Sequence, residues 1–366
     1  MGNPFRPTAG ATPPDLIGRG GVLDEFAYGL RIGSGAPGLL SIFTGARGIG
    51  KTVMLGAAED LAMTSGWAVV SETATGGFVG RIGESMRLLT SNLGDGPTGR
   101  RITAVAVAGF SVTTQLAPEA QVDWRTRGAE LLRLLAERGT GLVITVDEIH
   151  AADRAELSRL AADVQHFIRE GLPIGLIFAG LPAAVSDLLN EGVATFLRRA
   201  DRIDLHAASI SEVERSFAET FADAGITISA GHTREAAEAT GGYPFLIQLV
   251  GYFLWQEAEQ ASNTLDASAV VRAVSAARRR NERVVIEAAL STTSGRDRDF
   301  LRAMVEDSGP SSTMNIGTRT RMRPNAVGNY RTRLIDAGLI ESTGYGVVDF
   351  AIPGLREYLD SHPSKR

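Results

Sequence analysis

The chain has 366 residues, 44% of them hydrophobic and 22% charged, with a formal net charge of −5. This is the composition of an ordinary folded protein of two or three domains, and it gives no overall attraction to nucleic acid or to an anionic membrane. There is no cysteine, which excludes disulfides, thiolate metal sites and cysteine nucleophiles, and the five histidines show no ligand spacing.

Residues 1–16 are rich in Pro, Gly and Thr and lack a signal-peptide core, so they read as an extended arm. From 17 to 207, short apolar runs alternate with helical patterns. "GLLSIF" (38–43), "WAVVSE" (67–72), "GLVITV" (141–146), "IGLIFA" (174–179) and "RIDL" (202–205) read as strands. Apolar runs without alternation imply strands buried on both faces, hence a parallel sheet covered by helices and an α/β fold class. The helical candidates between them are 51–65, 124–138, 152–169 and 182–189. "RRITAVAVAGFSVT" (100–113), flanked by Gly-rich turns, reads as an inserted hairpin.

After 208 the strands stop. Helical patterns, the first running from its Ser caps to Gly225 and the others over 233–240, 244–260 and 266–289, define a small all-helical domain over 208–290. Its longest apolar run, around Phe245 to Trp255, is broken by Gln248 and is too short to span a bilayer. A cytoplasmic location without membrane contact is therefore expected. "STTSGRD" (291–297) reads as a linker into the last domain, 291–366. There "RDRDFLRAMVEDSG", "TMNIGTRT" and "RPNAVGNYRTRLIDAGLI" read as three helices, and "GLIESTGYGVVDFAIP" as two strands around a Gly-Tyr-Gly turn. That order is similar to a winged helix-turn-helix.

The chemistry concentrates in "TGARGIGKT" (44–52). The chain carries 37 Lys plus Arg, yet its only lysines are Lys51 and Lys365. Gly45, Gly50, Lys51 and Thr52 fit the phosphate-loop pattern G-x-x-x-x-G-K-[ST], with a buried strand leading in and a helix leading out. The backbone of Gly45, Arg47, Gly48, Ile49, Gly50 and Val53 is expected to surround phosphate oxygens at the positive end of that helix. Lys51 reaches the β and γ phosphates as a compact point charge, a role that a planar arginine fork does not fill. The glycines do not give G-x-G-x-x-G, so a nicotinamide cofactor is not expected. "GLVITVDEIH" places an acidic pair at the end of a buried strand, where ligands bind in such sheets. Asp147 and Thr52 are expected to hold Mg²⁺, and Glu148 to orient and deprotonate the attacking water of ATP hydrolysis. His150 reads as a polar loop residue.

With these motifs the chain resembles bacterial ATPases of the AAA+/STAND type and is similar to origin-recognition ATPases over nearly its whole length. "LIGRGGVLDEF" resembles the motif that packs beside adenine, which implies that Ile17 and Arg19 lie near the nucleotide. "FLRRADRIDL" resembles the segment that carries a trans-acting arginine finger, so Arg198 or Arg199 is expected to complete the site of a neighbouring subunit in a homo-oligomer formed on ATP binding. "GGYPFLIQL" resembles the lid motif, placing Gly242 and Pro244 over the base. Two features depart from the pattern: "FAGLP" has no polar sensor residue, and no Arg follows "GGYPF". They imply a slow, switch-like ATPase that binds ATP and ADP.

The last domain supplies a partner expectation. Between Ser311 and Ile335 stand Arg319, Arg321, Arg323, Arg331 and Arg333 with no acid. Duplex DNA is expected there, with Asn325 and Asn329 meeting base edges, Tyr345 at the wing tip, and phosphate contacts from about four Arg giving a salt slope of roughly −3.6. The alternatives are a signalling ATPase whose winged helix binds protein, and a transposition or phage-defence regulator.

Overall fold

Each of the five apolar runs forms a parallel strand in the computed structural model, which describes residues 2–8, 13, 15–94, 119–190 and 195–362. The expected hairpin at 100–113 lies outside the described residues. By contact the chain divides into two units: Gly21–Gly45 with Lys51–Leu205, and Met1–Gly20 with Ala46–Gly50 and His206–Arg366.

The first unit is an α/β layer structure. In chain order it contains α1 (Asp24–Ile32), β1 (Leu40–Thr44), α2 (Lys51–Thr64), β2 (Ala68–Thr73), α3 (Phe78–Gly94), α4 (Glu119–Glu137), β3 (Leu142–Asp147), α5 (Arg154–Arg169), β4 (Ile174–Gly180), α6 (Pro182–Asn190) and β5 (Asp201–Asp204). The sheet order is β2-β3-β4-β1-β5, and every pairing is parallel. All seven residues of β4 are buried, as expected for a strand covered on both faces, whereas edge strand β5 alternates between half-buried and exposed. Ile42, Val70, Ile144, Val146 and Phe178 of the sheet share a core with Ile82, Leu131 and Phe167 of the helices. Because β4 lies between β1 and β3, the loops after β1 and β3 leave the same carboxyl edge one strand apart. Ligands of open α/β sheets bind at that kind of crevice.

The second unit continues with four helices, three of them begun by side-chain caps. They are α7 (Ile210–Asp223), α8 (Ala230–Thr240), α9 (Pro244–Gln260) and α10 (Ala267–Asn281). Ser209 and Glu212 form a reciprocal capping box, and Ser229 and Asp266 cap α8 and α10. This region is not purely helical: β6 (Thr227–Ile228) and β7 (Thr264–Leu265) pair in parallel just before two of those caps. The N-terminal arm is docked here. Phe5 is buried, its ring lies edge-on to Phe217 at 5.8 Å, and it fills the space that a side chain at Gly251 would need. Arg6 N donates to Gln248 Oε1 at 2.8 Å.

A π-turn at Glu282–Ile286 carries the chain into α11 (Glu287–Ser291). There follow α12 (Gly295–Val305), β8 (Ser311–Ser312), α13 (Thr313–Thr320), α14 (Pro324–Asp336), β9 (Ile340–Gly344), β10 (Val347–Phe350) and α15 (Leu355–Ser361). The three strands form a small sheet in the order β8-β10-β9 around a core of Phe300, Met304, Ile316, Leu334, Val348 and Leu355. The hairpin was legible as a strand pair. The third strand has only two residues, both serine, and α15 lies beyond the pattern that was read.

Candidate functional site

The loop after β1 needs glycine. Gly48 and Gly50 have φ of 74° and 93°, left-handed conformations that other side chains rarely adopt. The chain then enters α2 at Lys51, which buries Met54, Leu55, Ala58 and Ala62 along one face. Lys51 is only 7% exposed, and its Nζ donates to Gly45 O at 2.9 Å. A buried ammonium is favourable only with strong acceptors around it, and the Gly45 carbonyl is one of them. Val53 follows in the same turn, half-buried.

One residue along, the Thr52 hydroxyl donates to Asp147 Oδ2 at 2.6 Å, joining the start of α2 to the end of β3. The other carboxylate oxygen of Asp147 accepts the Glu148 N–H at 2.7 Å. These are hard oxygen donors from one carboxylate and one hydroxyl. Mg²⁺ is bound by few protein ligands of this kind and keeps its remaining positions for water and phosphate, so the donor set fits it. The Thr44 hydroxyl, at the last strand position before the loop, is buried without a hydrogen-bond partner. A buried orphan at the mouth of such a loop fits a site whose polar ligand completes it.

Glu148 is one of the few non-glycine residues with positive φ, at 57°. It follows the last residue of β3 and caps the short 3₁₀ turn Ile149–Ala151. Its carboxylate accepts from His150 Nε2 at 2.9 Å. Ile149 is buried against Gly180, where an added Cβ would stand 2.4 Å from Ile149 Cγ1. This close approach leaves no room for a side chain at Gly180, the last residue of β4. Arg198 and Arg199 are exposed on the short helix Thr195–Arg199, with Arg198 Nε donating to Leu189 O at 2.8 Å.

The remaining nucleotide expectations fall in the second unit, to which residues 46–50 belong by contact. Arg19 donates to Ile49 O and to His206 O, each at 2.8 Å, and burial holds its guanidinium below the ordinary value, with Glu212 opposing the shift. Ile17 is half-buried. Gly242 has φ of 72°, and a Cβ there would stand 1.9 Å from Ala208 O, so its role within this unit is backbone packing. Pro244 opens α9, and a Cβ added at Gly50 would stand 3.8 Å from its Cβ. Sequence reasoning missed Tyr243 between them. Its ring packs on Gly48, its hydroxyl is buried without a partner, and burial, reinforced by Glu341, pushes the phenol above its ordinary range. Arg47 Nε donates to Ala337 O at 2.9 Å.

The arginines of the last segment are not equivalent. Arg319 pairs with Asp307 at 2.6 Å and Glu306 at 3.1 Å, and Arg333 pairs with Asp297. All three acids belong to α12 or its exit, outside the acid-free window. Arg331 is half-buried and donates to Ser342 Oγ at 2.8 Å. Arg321, Arg323, Asn325 and Asn329 are exposed, and Tyr345 stands fully in solvent at the hairpin turn.

A family model for a domain of unknown function, DUF8462, matches residues 283–359. A comparison with curated proteins finds no match. Among solved structures, the chain is similar to the ORC2 protein of Aeropyrum pernix in its ADPNP–ADP complexes, at 17% identity over 97% of this chain and 96% of that one, with a TM-score of 0.63. It is also similar to the Walker-type ATPase of Pyrococcus abyssi, at 13% identity over 95% and 97% with a TM-score of 0.66. The third is Cdc6p of Pyrobaculum aerophilum, at 16% identity over 97% and 95% with a TM-score of 0.52. At such identities the likeness establishes the fold, that of an ORC/Cdc6-like P-loop NTPase with its parallel five-stranded sheet. Among the described residues, no helix is long and apolar enough to cross a membrane.

Proposed function

We propose that the chain binds ATP with Mg²⁺ at the loop 45–52 and hydrolyses it slowly, as an AAA+ ATPase of the type that switches state on assembly. The observation that carries this reading is the 2.6 Å contact of Thr52 Oγ1 with Asp147 Oδ2 beside a buried Lys51. Lys51 gives its charge to the terminal phosphates, and the backbone of residues 46–50 donates N–H groups to their oxygens. Thr52 and Asp147 hold the Mg²⁺, which when bound neutralises developing phosphate charge. Glu148 takes a proton from the attacking water at its carboxylate. Arg198 or Arg199 of one copy serves the site of the next.

The same reading assigns duplex DNA to the last domain, read as a winged helix. With Arg319 and Arg333 engaged by acids, the phosphate contacts fall to Arg321, Arg323 and Arg331. A second reading, a protein-binding winged helix, draws on the same neutralisation and on Met314, which is 77% exposed.

The test of the nucleotide reading is calorimetric titration with ATP, with and without Mg²⁺. Lys51→Ala should raise Kd by about 10- to 100-fold, the worth of a charge-assisted hydrogen bond. Thr52→Ala should abolish most of the difference that Mg²⁺ makes. Equal affinity of the wild type and Lys51→Ala would remove the basis of the proposal.

A further inference from the structure

His150 was given no role by its sequence context, and the ATPase reading does not use it. Three observations single it out. The first is that Glu148 departs from strand geometry into the left-handed region, at φ 57° and ψ 39°, so the backbone reverses immediately after the acid. The second is that the turn so formed, Ile149–Ala151, is pinned: Ile149 is buried in the core, and the absent side chain of Gly180 leaves it room. With the turn fixed, the imidazole of His150 folds back and its Nε2 meets Glu148 Oε2 at 2.9 Å. The third is that His150 Nδ1 is buried with no hydrogen-bond partner. A carboxylate accepts, so Nε2 must carry the donated proton. Of the two His150 ring nitrogens, Nε2 is the one engaged, and its partner is the Glu148 carboxylate.

We propose that His150 is a positioning residue for Glu148: its Nε2–H holds the carboxylate in the orientation from which it takes the proton of the attacking water. This rests on the ATPase reading above. The physical need is plain. Glu148 has three side-chain torsions and its side chain is 45% exposed, so its carboxylate has several rotamers open to it. A general base acts efficiently when a third group orients it. Placing that group two residues along a pinned turn fixes the base without depending on a distant element. His150 also lines a cavity with Ile149, Arg154, Ala184, Asp187 and Leu188, in which Arg154 and Asp187 stand 3.7 Å apart.

The experiment uses the full chain and the variants His150→Ala, His150→Gln and Glu148→Ala, with phosphate release, ATP titration by calorimetry and thermal melting for each. His150→Ala should lower kcat by about 10- to 100-fold, the usual effect of losing a residue that orients a functional ligand, while ATP Kd changes by less than about twofold. His150→Gln, whose side-chain amide N–H can meet the carboxylate, should regain part of kcat. Without nucleotide, a long-range ¹H–¹⁵N imidazole spectrum should show the His150 proton on Nε2, and Glu148→Ala should relax that preference. Unchanged or increased kcat in His150→Ala overturns the proposal, as does a loss of kcat matched by an equal loss of ATP affinity. A wild-type chain that releases no phosphate defeats the ATPase reading instead. The spectrum then decides the Glu148–His150 contact on its own, and a proton found on Nδ1 refutes it.

Discussion

At the scale of single residues, the phosphate loop was legible because its requirements are local. Glycine at the positive-φ positions and a compact cation at the helix start are written in consecutive letters. The chain's preference for arginine makes Lys51 conspicuous. Contacts that depend on folding were not legible. Tyr243 reaches Gly48 from a distant part of the sequence, and no pattern in "GGYPF" announces an unpartnered hydroxyl. His150 likewise acquires its partner only because Glu148 turns left-handed. Gly48→Ala tests the loop's geometry. The substitution strains a left-handed position and drives a methyl to 2.9 Å from Tyr243 Cε1, in a ring too buried to swing aside. We expect destabilisation of about 1–3 kcal/mol by urea denaturation. A midpoint equal to that of the wild type would show that the loop does not hold this conformation.

At the scale of elements, the apolar runs gave the sheet because buried parallel strands leave a continuous hydrophobic signature. β6, β7 and β8 carry no such signature at two residues each, and pairing, not composition, makes them strands. The basic window in the last domain shows the complementary failure. Its positive charge was read from an acid-free stretch, but ion pairs are set by which helices touch. α12 contributes Asp297, and its exit Asp307, to Arg333 and Arg319. Burial alone would raise Asp297, yet hydrogen bonds from Arg333 and Ser294 hold it below the ordinary carboxylate range. Asp307 is lowered to about 2, chiefly by its hydrogen bond from Arg319. A depressed folded-state value contributes stability that is present above the unfolded pKa, about 3.9 for Asp, and is lost as pH falls toward about 2. Arg319→Ala should therefore flatten the acid side of the stability profile between about pH 4 and pH 2. Denaturation midpoints across that range measure it, and an unchanged profile would mean that the pair does not form in solution.

At the scale of the whole molecule, one α/β unit holds Lys51, Thr52, Asp147 and Glu148, while a second holds residues 46–50, helices α7 to α10, the docked arm and the small C-terminal sheet. If the last domain binds duplex DNA through Arg321, Arg323 and Arg331, log K should fall with log salt at a slope of about −2.7, from roughly 0.9 per phosphate contact. Arg321→Ala/Arg323→Ala should reduce that slope by up to about 2. Fluorescence anisotropy at several salt concentrations reads both values, and no binding below about 100 μM at low salt, weaker than typical non-specific association, would favour the protein-partner reading. The central claim is that the chain is an assembling ATPase, and phosphate release per subunit measured across protein concentration addresses it most directly. Mg²⁺-dependent turnover should rise with concentration in the wild type and fall by about 10²- to 10⁴-fold in Glu148→Gln with ATP binding intact. Turnover that Glu148→Gln leaves undiminished, or ATP that is bound but never hydrolysed at any concentration, would contradict it.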